Sequence, residues 1–247
     1  MASEYLKWKY RDVKPDGPPR ELTKKEKLAN WFYYYKWWLV AGAVLLVCLG
    51  SIVWNALGIG RVKPDYIFAY VGENALPEDC VEAFQRELAA LGRDANGDGK
   101  TVVELRQYPS GGGDDPESAL QYAYASGAKL MADLNEGESY FFLLEDPEGF
   151  QKGYQVLAGP DGALPPEGND GVEGKVLLWT DCPALAGLEL GSYEADTLSG
   201  GTVTGDNQEL LSGLYLARRG FYYEKQAARH EADGELWAIL TEGAVFS

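Results

Sequence analysis

Between Trp37 and Leu57 the chain reads WWLVAGAVLLVCLGSIVWNAL, a run with no ionisable side chain except the Cys48 thiol. A helix of about 20 apolar residues, rising about 1.5 Å per residue, is long enough to cross the roughly 30 Å of hydrocarbon in a bilayer. The run has no polar stripe of the kind that would suit a helix packed on a soluble core. Trp31, Phe32, Tyr33, Tyr34, Tyr35, Trp37 and Trp38 precede it and Trp54 closes it, and amphipathic rings favour the depth of the membrane interface. The expected organisation is a cytoplasmic basic and aromatic tail over residues 1 to 36, a transmembrane signal anchor over 37 to 58, and an extracytoplasmic domain over 64 to 247.

Charge sets the expected orientation. The first 36 residues hold nine basic and five acidic side chains, a net of +4, and Arg61 with Lys63 adds +2 beyond the span. The whole chain carries −16, which leaves −22 on residues 64 to 247. The positive-inside rule puts the N-terminus in the cytosol and the acidic bulk outside the cell membrane. So acidic a domain is a poor partner for nucleic acid, which needs clustered Lys and Arg. The apolar stretch is too long for a cleaved signal peptide and stands behind a polar tail. Val47 occupies the place where a lipoprotein site before Cys48 needs a small residue.

Beyond the span, apolar runs alternate with segments of helical spacing. YIFAYVG (66 to 72), TVVELRQY (101 to 108), SYFFLLED (139 to 146), KVLLWTDCP and GLYLARRGFYY read as strands. LPEDCVEAFQRELAALG reads as a helix with Pro77 near its first position and Gly92 as its stop. A second helix begins after Asp115 as N-cap with Pro116 behind it, and Gly137 ends it. PEGFQKGYQVLA is a short helix, the Gly- and Pro-rich residues 159 to 174 are a loop or a β excursion, and a closing helix is interrupted near Gly234. The order predicts an α/β domain with a mostly parallel layered sheet; its two later strands, with no clear helix between them, are candidates for antiparallel pairing.

Residues 93 to 101, RDANGDGKT, invite two readings. The tail Gly99-Lys100-Thr101 resembles the end of a phosphate-binding loop. That loop needs a glycine where Asp94 stands, and it runs from strand to helix, whereas here a helix precedes and a strand follows. The front fits a calcium loop better. Asp94, Asn96 and Asp98 take positions 1, 3 and 5, Gly99 the sharp turn at 6, and Lys100 offers its carbonyl at 7. Position 12 is Leu105 and the nearest acid is Glu104, so the last ligand of a structural Ca²⁺ is Glu104 or comes from elsewhere. The other account is a turn made of residues that tolerate left-handed geometry. Cys80 and Cys182 both fall in the external part, as a disulfide or as separate buried thiols.

Catalytic patterns are thin. His230 is the single histidine and is expected on a solvated helix face among Arg229, Glu231 and Asp233. Ser126-Gly127-Ala128-Lys129 has the Ser-x-x-Lys spacing of penicillin-interacting enzymes, but Lys100-Thr101 is followed by Val102 rather than the glycine such a site requires. The acid pairs Asp114/Asp115 and Glu145/Asp146 are what a domain of this charge contains in any case. The reading is therefore non-catalytic. In an open α/β sheet a ligand sits beyond the carboxyl ends of the strands. That rule selects Glu73 and Asn74 after the first strand, Tyr108 and Ser110 after the second, Glu145 and Asp146 after the third, and Asp181 after the fourth. Such a lining suits a cation or a polar partner rather than an anion.

The segments IFAYVGENALPEDCVEAFQRELAALG, KLMADLNEGESYFFLLEDPEGF and GLYLARRGFYY…LWAILTEGA together resemble extracellular solute-binding proteins of ABC transporters and their membrane-anchored relatives in Gram-positive Firmicutes. The resemblance covers roughly residues 66 to 247 and is one of pattern, without a diagnostic ligand motif. It implies a fold of the periplasmic-binding type and a non-catalytic role in binding a solute or protein partner at the cell surface. The external part is shorter than a two-lobed solute receptor, which leaves an envelope scaffold or accessory subunit as one alternative and a surface hydrolase as another.

Overall fold

The computed structural model describes residues 4, 8–9, 21–56, 63–112, 115–159, 161–164, 170–196, 201–221 and 227–244; of the acid pair Asp114/Asp115, Asp114 lies outside them. The chain divides into two compact units, Met1–Arg61 and Val62–Ser247. In the first, one helix, α1 (Lys24–Ala56), carries both the aromatic collar and the apolar run without a break. Its start is a reciprocal cap: Glu26 accepts from the Thr23 amide (2.8 Å) and the Thr23 hydroxyl (2.9 Å). It is long and apolar enough to span a membrane or to serve as a signal anchor.

The second unit is α/β. In chain order it runs β1 (Tyr66–Gly72), α2 (Glu78–Leu91), β2 (Val103–Pro109), α3 (Pro116–Glu136), β3 (Phe141–Leu144), α4 (Pro147–Tyr154) and β4 (Val176–Leu178). Then come α5 (Pro183–Ala186), β5 (Ser192–Asp196), β6 (Thr202–Asp206), α6 (Asn207–Leu211), β7 (Tyr215–Arg218) and α7 (Glu231–Leu240). Five strands form one sheet in the order β2-β1-β3-β7-β4, and β5 pairs with β6 in a separate antiparallel ribbon.

The sheet is mixed, which corrects the expectation of a mostly parallel one. β1 is parallel to β2 and to β3, but β7 runs antiparallel to both of its neighbours, β3 and β4. The first three strands are joined by long helices that each carry the chain back across a face, as a parallel pairing needs. From β4 to β7 the chain makes only short helical turns and the β5–β6 ribbon, and it re-enters the sheet from the opposite end.

Period-2 alternation divides the core between the two faces. From β1 and β3, Phe68, Tyr70, Phe141 and Leu143 enter one buried cluster, with Phe84 and Leu88 of α2 and Leu236, Trp237 and Leu240 of α7. Ala69, Phe142 and Leu144 enter the other, with Leu130 and Leu134 of α3 and Phe150 of α4. Phe68 stacks on Phe141 with centroids 4.3 Å apart and meets Phe84 edge-on at 5.2 Å, so three aromatic rings lock β1, β3 and α2 together. The Asp115 and Gly137 boundaries fall as the sequence implies: Asp115 accepts from the amides of Glu117 and Ser118, and Gly137 takes the left-handed conformation that ends α3. The closing helix continues through Gly234 without interruption. The β5–β6 ribbon has no counterpart in the sequence reading, because its strands are polar and largely exposed and carry no hydrophobic alternation.

Candidate functional site

β1 lies between β2 and β3, so the chain leaves β1 in one direction and reaches β3 on the other side. The carboxyl ends of β1 and β3 therefore form a topological switch point, where the crossing loops part. A cleft of about 540 Å³ opens there. Its lining includes Glu73, Ser110, Glu145 and Asp146, four of the seven residues that strand order alone selects. Gly111 and the ring of Tyr154 belong to the same wall.

Close approach of backbone builds the floor. The amides of Ser110 and Gly111 donate to the carbonyls of Gly72 (2.8 Å) and Glu73 (2.6 Å), which prolongs the β1–β2 pairing past the sheet. A Cβ on Gly111 would lie 2.7 Å from the Glu73 carbonyl oxygen, and one on Gly72 would lie 2.6 Å from the Glu145 carboxylate. Both positions must be glycine for the strand ends to meet this way. Glu145 fixes the join from the β3 side: its Oε2 accepts from the Glu73 amide (2.6 Å) and its Oε1 from the Tyr70 hydroxyl (2.6 Å). That hydroxyl also lies 2.9 Å from the Asn74 carbonyl. Burial, and then the bond to Glu145, pushes the Tyr70 hydroxyl well above its ordinary pKa, so it remains a donor. Asp146 caps α4 by accepting from the Gly149 amide (3.0 Å).

The other three selected residues fall elsewhere. Asn74 presents its backbone carbonyl to Tyr70 and its side chain to solvent. Tyr108 is buried, and its hydroxyl donates to Asp133 beneath α3; its side chain points from β2 into the core, not to the strand end. Asp181 ends the short helical turn after β4 and is exposed, outside the cleft lining. Sequence reading missed Tyr70 and Asp133. Tyr70 carries a strand pattern only, and Asp133 looks like any helix acid. Yet Asp133 is buried and accepts from the Ser139 amide (2.9 Å), the Ser139 hydroxyl (2.6 Å) and Tyr108, with Arg106 at 3.4 Å.

The 94–100 loop closes on its own backbone. Asp94 accepts from the amides of Gly97, Asp98 and Gly99, Asn96 from that of Asp98, and Asp98 from that of Lys100. The three amide bonds hold the Asp94 carboxyl below the usual aspartate range, with Gly99 the largest cause. Asp65, just before β1, ties the loop down by accepting from Ala95, Asn96 and Val102. Glu104, the candidate to complete a calcium shell, is engaged by Arg106 at 3.0 Å. No group of three or more His, Cys, Asp or Glu side chains placed to hold a metal ion occurs among the described residues.

His230 differs from the expectation of a solvated face. Its ring stacks on Tyr140 and Phe221, Nδ1 lies 2.6 Å from Asp233 and Nε2 3.0 Å from the Gly137 carbonyl. Burial raises the Asp233 carboxyl, and the bond to His230 partly offsets it. Ser126 is buried while Lys129 is exposed, and neither lines the cleft. Cys80 and Cys182 are both buried as free thiols in the core cluster of α2 and α7, each pushed up to about 11 by burial. Compared with family models, with curated proteins and with solved structures, the chain matches none.

Proposed function

We propose that this chain is a single-pass, membrane-anchored binding protein, with its N-terminus in the cytosol and residues 64 to 247 outside the cell, and that it binds a solute or protein partner without catalysis. The observation that carries the reading is the cleft at the β1–β3 switch point, whose wall brings Glu73, Ser110, Glu145 and Asp146 together from three strand ends. Clefts of 300–1,000 Å³ at such points are where α/β proteins hold small ligands. The resemblance to solute-binding proteins agrees with this role, and the long apolar run within α1 supports the anchor.

A second reading, an accessory subunit of a membrane complex, has its own support. Leu120, Tyr124 and Met131 stand at i, i+4 and i+11 along α3, one and then about two further turns apart, and are all exposed, an apolar stripe with no cover among the described residues.

The test uses the full-length protein in a mild detergent. Wild type is expected to melt several degrees higher in the presence of one class within a panel of small solutes, and Ser110→Trp, which fills the cleft, is expected to lose that shift. A shift that survives Ser110→Trp would place binding elsewhere and overturn the reading. Membrane sidedness is checked by protease treatment of intact cells, where cleavage confined to residues 64 to 247 is expected; cleavage confined to residues 1 to 36 would reverse the orientation.

A further inference from the structure

Resting on the reading of the cleft as a binding site, we infer that its ligand carries an ammonium or guanidinium group on a short organic skeleton. Three carboxylates, Glu73, Glu145 and Asp146, stand in the wall, and no Lys, Arg or His is among the lining residues. The Glu73 carboxylate is exposed and has no protein partner among the described residues. Glu145 also lines the cleft, its two oxygens receiving the Tyr70 hydroxyl and the Glu73 amide.

The same geometry excludes the other ligand classes one by one. The amino end of α4 is the natural seat for an anion, but Asp146 already occupies it as a cap. A bare metal ion needs several hard oxygens converging at about 2.0–2.6 Å. The three carboxylates do not form such a group among the described residues; they are distributed around a volume of about 540 Å³, far more than one ion fills. A neutral sugar seated on Glu73 would displace its water without compensating its charge, a costly desolvation. The remaining wall is apolar and aromatic, with Phe150 beneath and the partly exposed Tyr154 ring at the side. Such a surface packs the methylenes of an amine, and the ring face attracts a cation. Gly72 and Gly111, where a Cβ would meet the Glu145 carboxylate and the Glu73 carbonyl, let the strand ends close together as the floor of the cleft.

The ligand group is common to free amines and to basic side chains of a partner protein, and the experiment separates these sources. Full-length protein in a nonionic detergent is titrated calorimetrically with agmatine, spermidine, citrate, glucose, and a blocked tripeptide with a central arginine. Agmatine or spermidine is expected to bind, with affinity falling about tenfold in Glu73→Gln and further in Glu73→Lys, while citrate and glucose give no heat. Binding of the tripeptide with the free amines silent would assign the group to a protein partner and keep the inference. Binding of citrate or glucose alone would overturn the inference and leave the cleft a binding site. Silence of the whole panel, or amine binding indifferent to Glu73→Lys, would also overturn it. A Ser110→Trp variant with the same ligand response as wild type would remove the reading beneath it as well.

Discussion

Replacing Asp133 with alanine tests how the sheet is held against α3. Asp133 is the shared acceptor for the Ser139 amide, the Ser139 hydroxyl and the Tyr108 hydroxyl, and Arg106 stands 3.4 Å away. The guanidinium of Arg219, itself depressed by burial, is partly sustained by the same charge. Each charge-assisted bond contributes about 1.5–3 kcal/mol. Removal of the carboxylate also relieves its own desolvation, so the terms do not simply add; breaking one member of a buried charged network costs about 3–5 kcal/mol. A loss of about 4 kcal/mol is large against the roughly 5–15 kcal/mol by which domains of this kind are stable. With a urea dependence of about 2 kcal/mol per molar, the midpoint is expected to fall by about 2 M. The assay is urea unfolding of the full-length protein in detergent, followed by near-ultraviolet circular dichroism. Asp133→Asn keeps an acceptor for the Ser139 amide and is expected to recover about half of the loss. A fall under about 0.5 M for Asp133→Ala would refute the account, because the orphaned donors would then have found other partners.

Tyr108→Phe is expected to cost about 1.5–3 kcal/mol in the same unfolding assay and to leave ligand titrations unchanged, since its hydroxyl serves Asp133 and not the cleft. Gly72→Ala forces a methyl group against the Tyr70 hydroxyl and the Glu145 carboxylate; it is expected to lower stability by about 1–3 kcal/mol and to weaken cleft binding in calorimetry. The Asp94 carboxyl is held below its unfolded value, so the stability it contributes is present above about pH 4 and lost as the pH falls through the depressed folded value. Asp94→Ala should flatten that limb of the melting profile. Millimolar calcium is expected to raise the wild-type midpoint and not that of Asp94→Ala; a wild-type midpoint indifferent to calcium and to chelator would leave 94–100 a turn closed by its own amides. Cys80 and Cys182 are expected to resist iodoacetamide at pH 8 until the protein is unfolded and then both to react, read by mass; failure of both to react without a reductant would reveal a disulfide.

Much of the fold was legible in the chain itself. The apolar run of α1, the caps at Asp115 and Gly137, and the alternation of strand and helix as far as α4 are local consequences of hydrophobicity and backbone preference, so they are written residue by residue. Of the seven residues that the strand-end rule selects, Glu73, Ser110, Glu145 and Asp146 line one cleft, because they stand within two residues of the end of a strand whose direction its connecting helix fixes.

What the sequence could not specify was everything that depends on a partner distant in the chain. The direction of β7 follows from how the chain returns after the polar β5–β6 ribbon, and no local pattern encodes that return. Tyr108 and Ser110 are two residues apart and strand alternation alone would put them on one face, but Tyr108 lies within β2 and packs onto α3 at Asp133, whereas Ser110 lies past the strand end at Pro109 and reaches the cleft. His230 looked like one charge among several until Tyr140, Phe221 and Gly137 closed on it. Local sequence sets the elements, through propensities that each residue carries alone; burial and hydrogen-bond partnership are properties of pairs, and only the tertiary structure brings those pairs together.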